Sequence, residues 1–327
     1  MQETIVKFLA SMESEGRVST VPTYRRALER YDSWLTAEDI AVLSATTEDI
    51  IAFQEYLAES YRRPDTHKAL VKGTQVTWLC AVKSFYTWCY RRGLVLNDPA
   101  AAVKLPRIVR RRVVCDPLSQ QEAIALVQTQ AAIVAAKRKG SYSWAIETRN
   151  LAMVCMGLST GRRCSSIGNL RVTDLDHERC EVRIEWEKGR PGRVLPCAAW
   201  ALAVAKQYVE EARPVLLAVG GHKRADPGWL FMGVRTKQVD ITYLTRLVHA
   251  LQTKTVEANP DLDEMAAKKL TSHSLRVTFA TLMFLNGAGI RIVNDLLLHK
   301  HLQTTARYTP LHLDDLRRAC RLAHPRA

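Results

Sequence analysis

The stretch CEVRIEWEKGRPGRVLPC, Cys180 to Cys197, is where the hydrophobic period of the chain changes. Apolar Val182, Ile184 and Trp186 alternate with Glu181, Arg183 and Glu185, and a period of two is the mark of a half-buried strand. GRPG then supplies turn-forming residues, and RVLPC reads as the partner strand. Almost everything on either side follows the helical period instead. The expected architecture is therefore mainly α, with one small antiparallel sheet.

Upstream of the hairpin, ETRNLAMVCMGLSTG is apolar on most sides and reads as a central helix. LSQQEAIALVQTQAAIVAAK is a second helix, with RKGSYS between them as an exposed basic loop. Downstream, AAWALAVAKQYVEEARPVLLAV resumes the helical period, and the remainder is helical with breaks at Gly287, Gly289 and Pro310. The last residues, LHLDDLRRACRLAHPRA, form an amphipathic pattern through Leu313, Leu316, Ala319 and Leu322.

The first hundred residues read as all-helical. ETIVKFLASME sets Ile5, Phe8, Leu9 and Met12 on one face. TVPTYRRALERYDSWL has Pro22 near its start, and TTEDIIAFQEYLAESYRR opens with Thr47 and acidic residues, a helix-start signal. GTQVTWLCAVKSFYTWCYRRGL ends at Gly93. Between the halves lies a proline-containing, basic, aperiodic piece with Arg110, Arg111 and Arg112. The expected division is a helical unit over 1–104, a basic linker over 105–115, and a mixed α+β unit ending in a tail helix over 116–327.

Composition narrows the function. The chain has 327 residues, 47 Lys+Arg against 33 Asp+Glu, and a formal net charge of +14. Such an excess favours a polyanionic partner, most commonly nucleic acid. The paired Arg25–Arg26, Arg62–Arg63 and Arg91–Arg92 suit either a solvated face or contact with phosphates. The eight cysteines contain no CxxC pair, and most lie in apolar runs, as small buried residues do. No zinc site or other metal is expected. The opening MQETIVKFLASMESEG lacks the basic start and long apolar run of a secretory leader, and no apolar run matches a bilayer. A cytoplasmic, nucleoid-associated protein without a membrane partner is expected.

Four places carry chemistry-bearing residues: Arg163 after Thr160–Gly161, Lys188 in the hairpin, His273 and Arg276 at i, i+3 on one helix face, and His299 nine positions before Tyr308. Singly, each is weak: a helix cap, a solvated lysine, a chance HxxR, a core histidine, a helix anchor. Together, in this order and in a basic chain, they resemble the tyrosine site-specific recombinases of the phage integrase family, in particular Xer-like members. The resemblance rests on Thr160-Gly161-Arg162-Arg163, on Lys188-Gly189 with Arg193-Val194-Leu195-Pro196, on His273-Ser274-Leu275-Arg276 with Phe279-Ala280-Thr281, and on Leu296-Leu297-Leu298-His299 with Thr304-Thr305 and Tyr308-Thr309. It covers nearly the whole chain and is sharpest over 150–310. The sequence departs from the pattern at Val277, where many members have a second histidine, at Leu298 in place of glycine, at Ser166 in place of glutamate, and in a longer AAKRKGSYSW stretch.

The resemblance implies an integrase-like fold and a set of roles. Arg163 and Arg276 would grip the scissile phosphate, for which planar, permanently charged guanidinium groups are suited. Tyr308 would be the nucleophile, presented by a short helix beginning at Thr304 and Thr305 and ending before Pro310. A phenol is mostly protonated at neutral pH and needs help to react. His273 would take its proton, His299 would hydrogen-bond the phosphate, and Lys188 would protonate the departing 5′ oxygen. No cofactor, metal or ATP is implied. The implied partners are double-stranded DNA carrying specific sites, three further copies in a synaptic homo-tetramer linked by C-terminal helix exchange, and a possible second recombinase or accessory protein. Two alternatives stand beside this: a type IB topoisomerase-like nicking-closing enzyme, and a catalytically silent DNA-binding relative.

Overall fold

A computed structural model of the chain describes residues 2–107, 117–187, 190–219, 226–233, 238–240, 242–298 and Thr305. Packing divides the chain into two units, Met1–Arg112 and Val113–Ala327.

In the first unit, α1 (Glu3–Ser14) buries Ile5, Phe8, Leu9 and Met12, the face that the apolar spacing predicts. α2 (Val21–Ala37) carries Pro22 in its first turn, where a missing N–H costs no helical bond. α3 (Thr47–Glu55) is capped by Thr46 rather than Thr47. The Thr46 hydroxyl accepts from the Asp49 N–H at 3.3 Å, and the Thr46 N–H donates to the Asp49 carboxylate at 2.8 Å. Thr47 donates its hydroxyl to the Pro99 carbonyl at 2.8 Å instead. A π turn, Tyr56–Ser60, continues α3, and α4 (Lys72–Arg91) follows, with Gly93 just beyond it at φ +68. Lys83 on α4 reaches back to the carbonyls of Ala100 and, at 2.8 Å, Val103. Both residues lie in this unit's core. Residues 108–115 of the expected linker lie outside the described residues.

The second unit opens with α5 (Gln120–Ala135), capped by Ser119 and Glu122. α6 (Tyr142–Thr160) begins at a Ser141 cap, so Tyr142 and Ser143 are helical and not part of the loop expected there. α6 is buried on most sides, as its composition suggests. α7 (Cys164–Gly168) is a single short turn. The sheet follows: β1 (Leu175–Asp176), β2 (Glu181–Glu187) and β3 (Arg190–Pro196), antiparallel in that order. Val182 stands opposite Leu195, and both are buried.

Two details of the sheet differ from expectation. A two-residue third strand, β1, has too little length to show a period. The chain also reverses between Glu187 and Arg190, so Arg190, Pro191 and Gly192 belong to β3 and not to a GRPG turn. Gly192 serves close strand approach: a Cβ there would lie 2.6 Å from the Glu185 carbonyl oxygen. Beyond the sheet, the long helix expected over 198–219 is split into α8 (Ala199–Gln207), a π turn over Tyr208–Ala212, and α9 (Arg213–Val219). The widened turn falls just ahead of Pro214, which has no N–H to give. α10 (Tyr243–Ala258), α11 (Asp263–Ala267), α12 (Ser272–Leu285) and α13 (Ile290–Leu296) complete the described unit. Among the described residues no helix is long and apolar enough to cross a membrane.

Candidate active site

The site is built where α6 ends against α12 and α13. α6 stops at Gly161, whose φ of +59 is left-handed. A Cβ at this position would lie 2.5 Å from the Phe279 ring and 3.0 Å from Leu297. Both the backbone angle and the space therefore require glycine. Thr160 folds its hydroxyl back onto the Met156 carbonyl at 2.6 Å. The next two residues diverge. Arg162 turns inward and is 1% exposed, whereas Arg163 is half-buried and begins α7.

α12 starts at a Thr271 cap. The Thr271 hydroxyl accepts from the His273 N–H at 3.2 Å, and the Thr271 N–H donates to the Ser274 hydroxyl at 3.0 Å. This fixes the first turn, where His273 sits, and Arg276 follows one turn on. Arg276 is 1% exposed. Its guanidinium donates to the Gly161 carbonyl at 2.8 Å and the Leu297 carbonyl at 2.6 Å. One side chain thus ties three of the four sequence motifs together: the Thr-Gly turn, the HxxR helix, and the end of α13.

His273 is exposed, with part of its ring covered. Its pKa is lowered from the ordinary imidazole value, first by burial, then by the charges of Arg276 and Arg163. Arg163, His273 and Arg276 are therefore one electrostatic cluster. The lowered value keeps the imidazole neutral over more of the pH range.

α13 leads out of this cluster. Leu297 caps it, and Leu298 adopts φ +53 while remaining 3% exposed. A leucine thus holds a left-handed turn of the kind glycine adopts freely, and its burial offsets the backbone strain. Thr305 is fully buried and donates its hydroxyl to the Asn294 side-chain oxygen at 2.8 Å. Val277 and Ser166, the other departures from the family pattern, are both buried. Lys188, His299, Thr304 and Tyr308 lie outside the described residues, as do His301, Arg307 and the tail over 311–327. Among the described residues, no group of three or more His, Cys, Asp or Glu side chains gathers as metal ligands would.

Sequence reasoning passed over Arg162 and Asn294. Arg162 had a signal in its pairing with Arg163, but an adjacent arginine does not announce which of the two turns inward. Asn294 had none.

In the first unit, Arg26, Arg30, Tyr61, Arg63, Thr74 and Trp78 line a groove of about 560 Å³. The Arg30 guanidinium stacks over the Tyr61 ring at 4.9 Å.

A helical first unit, a mainly helical second unit with a three-stranded sheet, and arginines from two motifs converging on the end of α13 set the fold and the site. Comparison with known proteins gives the family. Residues 126–314 match the phage integrase family, and residues 5–93 match the phage integrase N-terminal SAM-like domain. The chain belongs to the phage integrase family. It is 30% identical over 310 residues to tyrosine recombinase XerD of Corynebacterium glutamicum, covering 94% of this chain and 93% of that protein. Tyrosine recombinase XerC of Mycobacterium bovis is 32% identical over 248 residues, 76% of this chain and 75% of that protein. In fold it matches the XerH recombinase bound to its difH substrate, with a TM-score of 0.65 at 15% identity over 92% of this chain and 78% of that one. A lambda integrase dimer bound to a core site matches with a TM-score of 0.62 at 14% identity over 94% of each chain. The chain is a tyrosine recombinase, an enzyme of site-specific DNA recombination.

Proposed function

We propose that Arg163 and Arg276 hold the scissile phosphate and that Tyr308 attacks it. The tyrosine oxygen forms a bond to phosphorus while the bond to the 5′ oxygen breaks. His273 takes the phenolic proton, Lys188 gives one to the 5′ oxygen, and His299 hydrogen-bonds a non-bridging oxygen. The products are a 3′-phosphotyrosine ester and a free 5′-hydroxyl. One phosphodiester replaces another, so the bond energy is kept and no ATP is needed. Rejoining reverses the step with a 5′-hydroxyl from the partner strand.

The observation that carries this reading is the Arg276 guanidinium, which bridges the turn leading to Arg163 and the chain two residues before His299. Preorganised charge of this kind is often the largest catalytic contribution, since it meets the developing charge on the phosphoryl oxygens without reorganising. The lowered pKa of His273 supports the base role, because general base work needs the neutral form.

The wider reading has a helical unit over 1–104, a basic linker over 105–115 and a catalytic unit over 116–327, with the first unit binding one face of the duplex. The groove presents Arg26 and Arg30 for phosphate contacts, with Arg63 paired to Asp65 at 2.7 Å beside them. Four copies act on two DNA sites, linked by exchange of the tail helix, in the cytoplasm at the nucleoid. A second recombinase or accessory protein completes some reactions of this type. The XerH recombinase bound to its difH substrate and the Tn1549 transposon integrase on transposon right end DNA, both similar in fold, support a role on DNA sites, mobile-element sites among them.

A nicked suicide duplex tests the chemistry. The wild type accumulates a covalent protein–DNA adduct. Tyr308→Phe binds the same duplex and forms none. Adduct from the phenylalanine variant would assign the attack to another side chain.

A further inference from the structure

The inward-turned arginine beside Arg163 has a geometry of its own. Arg162 is 1% exposed. Its Nε donates to the Thr160 carbonyl at 3.3 Å, and its Nη2 donates to the Leu296 carbonyl. Arg276, from α12, takes the very next carbonyl, that of Leu297. Leu296 ends α13 and Leu297 caps it. Carbonyls at a helix C-terminus have no partner within the helix and carry partial negative charge. Two guanidinium groups, arriving from different elements, satisfy two consecutive ones.

The position of these carbonyls matters. Leu298 follows in its left-handed turn, and His299 is the next residue. Thr305, the next described residue, is also tied to α13, through Asn294. The described chain leaves α13 at Leu298, immediately before His299 in sequence, and Arg162 meets that exit from the same turn that carries Arg163.

We propose that Arg162 is a positioning residue for strand cleavage. It locks the exit of α13 to the Thr160–Arg163 turn, so that the phosphate-gripping arginine and the nucleophile-bearing segment move as one body. This rests on the reading of His299 and Tyr308 given above. A buried cation is costly to desolvate, and a long apolar side chain could fill the same space. What the apolar chain cannot do is bridge two backbone segments through a rigid fork of donors.

The test uses the full-length protein on nicked suicide DNA, with single-turnover adduct formation measured at saturating protein. Arg162→Met retains DNA affinity but forms adduct slower by about 10²-fold, the scale of loss expected from a reacting group misplaced by about an ångström. Arg162→Lys, which keeps the charge and one donor at a time, recovers part of that rate. A substrate with sulfur in place of the 5′ bridging oxygen needs no protonation of its leaving group. It relieves Lys188→Ala and leaves the Arg162→Met defect in place, because that defect lies on the attacking side.

An arginine that only stabilises the fold lowers Tm without changing the rate measured on folded, DNA-saturated protein, and that result overturns the proposal. So does full relief of Arg162→Met by the sulfur substrate. Should the methionine variant not fold, Arg162→Gln is judged by the same criteria. Failure of the underlying reading appears separately, as adduct formed by Tyr308→Phe.

Discussion

The core of the first unit and the site of the second bury polar groups in different ways. The core of the first is a nest of rings. Tyr31 packs against Phe53 at 4.8 Å between centroids, and Phe8 against Phe85 at 5.7 Å. Its buried phenols pair with each other: the Tyr31 and Tyr86 hydroxyls lie 2.9 Å apart, and Tyr86 donates to the Val42 carbonyl at 2.8 Å. Burial pushes both phenols up, away from ionisation. In the second unit, the groups sealed at the site are guanidiniums, Arg162 and Arg276, held on backbone carbonyls. A phenol among hydrocarbons keeps its proton. A phenol that is to attack phosphorus needs cations, a base, and a geometry that backbone contacts hold fixed. In the first unit's core burial keeps phenols protonated, whereas at the site it surrounds guanidiniums held on backbone carbonyls.

Stability and rate should therefore separate between the units. The largest effect is expected for Phe53→Ala, which empties a fully buried ring site. Unfolding of the first unit, followed by denaturant titration, should lose about 3–5 kcal/mol, while adduct formation by the folded fraction stays at the wild-type rate. A slowed rate in folded protein would break the contrast.

Arg276→Lys is the counterpart. Lysine keeps the charge but cannot serve the Gly161 and Leu297 carbonyls with one planar fork. Adduct formation should fall by about 10²–10³-fold, with the first unit's unfolding midpoint unchanged.

A smaller effect belongs to the basic groove. Arg26→Ala should weaken DNA binding and reduce the slope of log affinity against log salt by about 0.9, the share of one phosphate left unneutralised. An unchanged slope would assign that groove to something other than the DNA backbone.

The smallest effect is a titration. His273, followed by NMR, should ionise below the ordinary imidazole range, and Arg163→Ala should move its pKa upward by removing one of the charges that lower it. The sign also holds for stability. Below the ordinary imidazole pKa the unfolded chain takes up a proton that the folded site resists, so this residue's contribution falls as pH drops through that window. A pKa unmoved by Arg163→Ala would separate Arg163 from the cluster.

Much of this is legible because it is local. The α1 face of Ile5, Phe8, Leu9 and Met12 follows from spacing alone, as does the alternation that buries Val182 and Ile184 in β2. Sequence misleads where one residue type serves two purposes. Gly192 reads as a turn former, but it is a glycine because β2 backbone lies against it. Thr46 and Thr47 are equivalent as letters, and only the position of Asp49 and of Pro99 sorts cap from tether. Leu298 stands where the family pattern has glycine, and nothing local says that a leucine there would take a left-handed turn.

By itself, the sequence determined the helical content, the small sheet, the basic charge and the order of the motif residues, since these depend on neighbours a few positions apart. Tertiary structure alone decided that Arg162 turns in while Arg163 stays at the half-buried rim, and that the end of α13 is gripped by arginines from two other elements. Those outcomes depend on which carbonyls are left without partners where three helices meet, and residues 134 positions apart share no local pattern that could announce it.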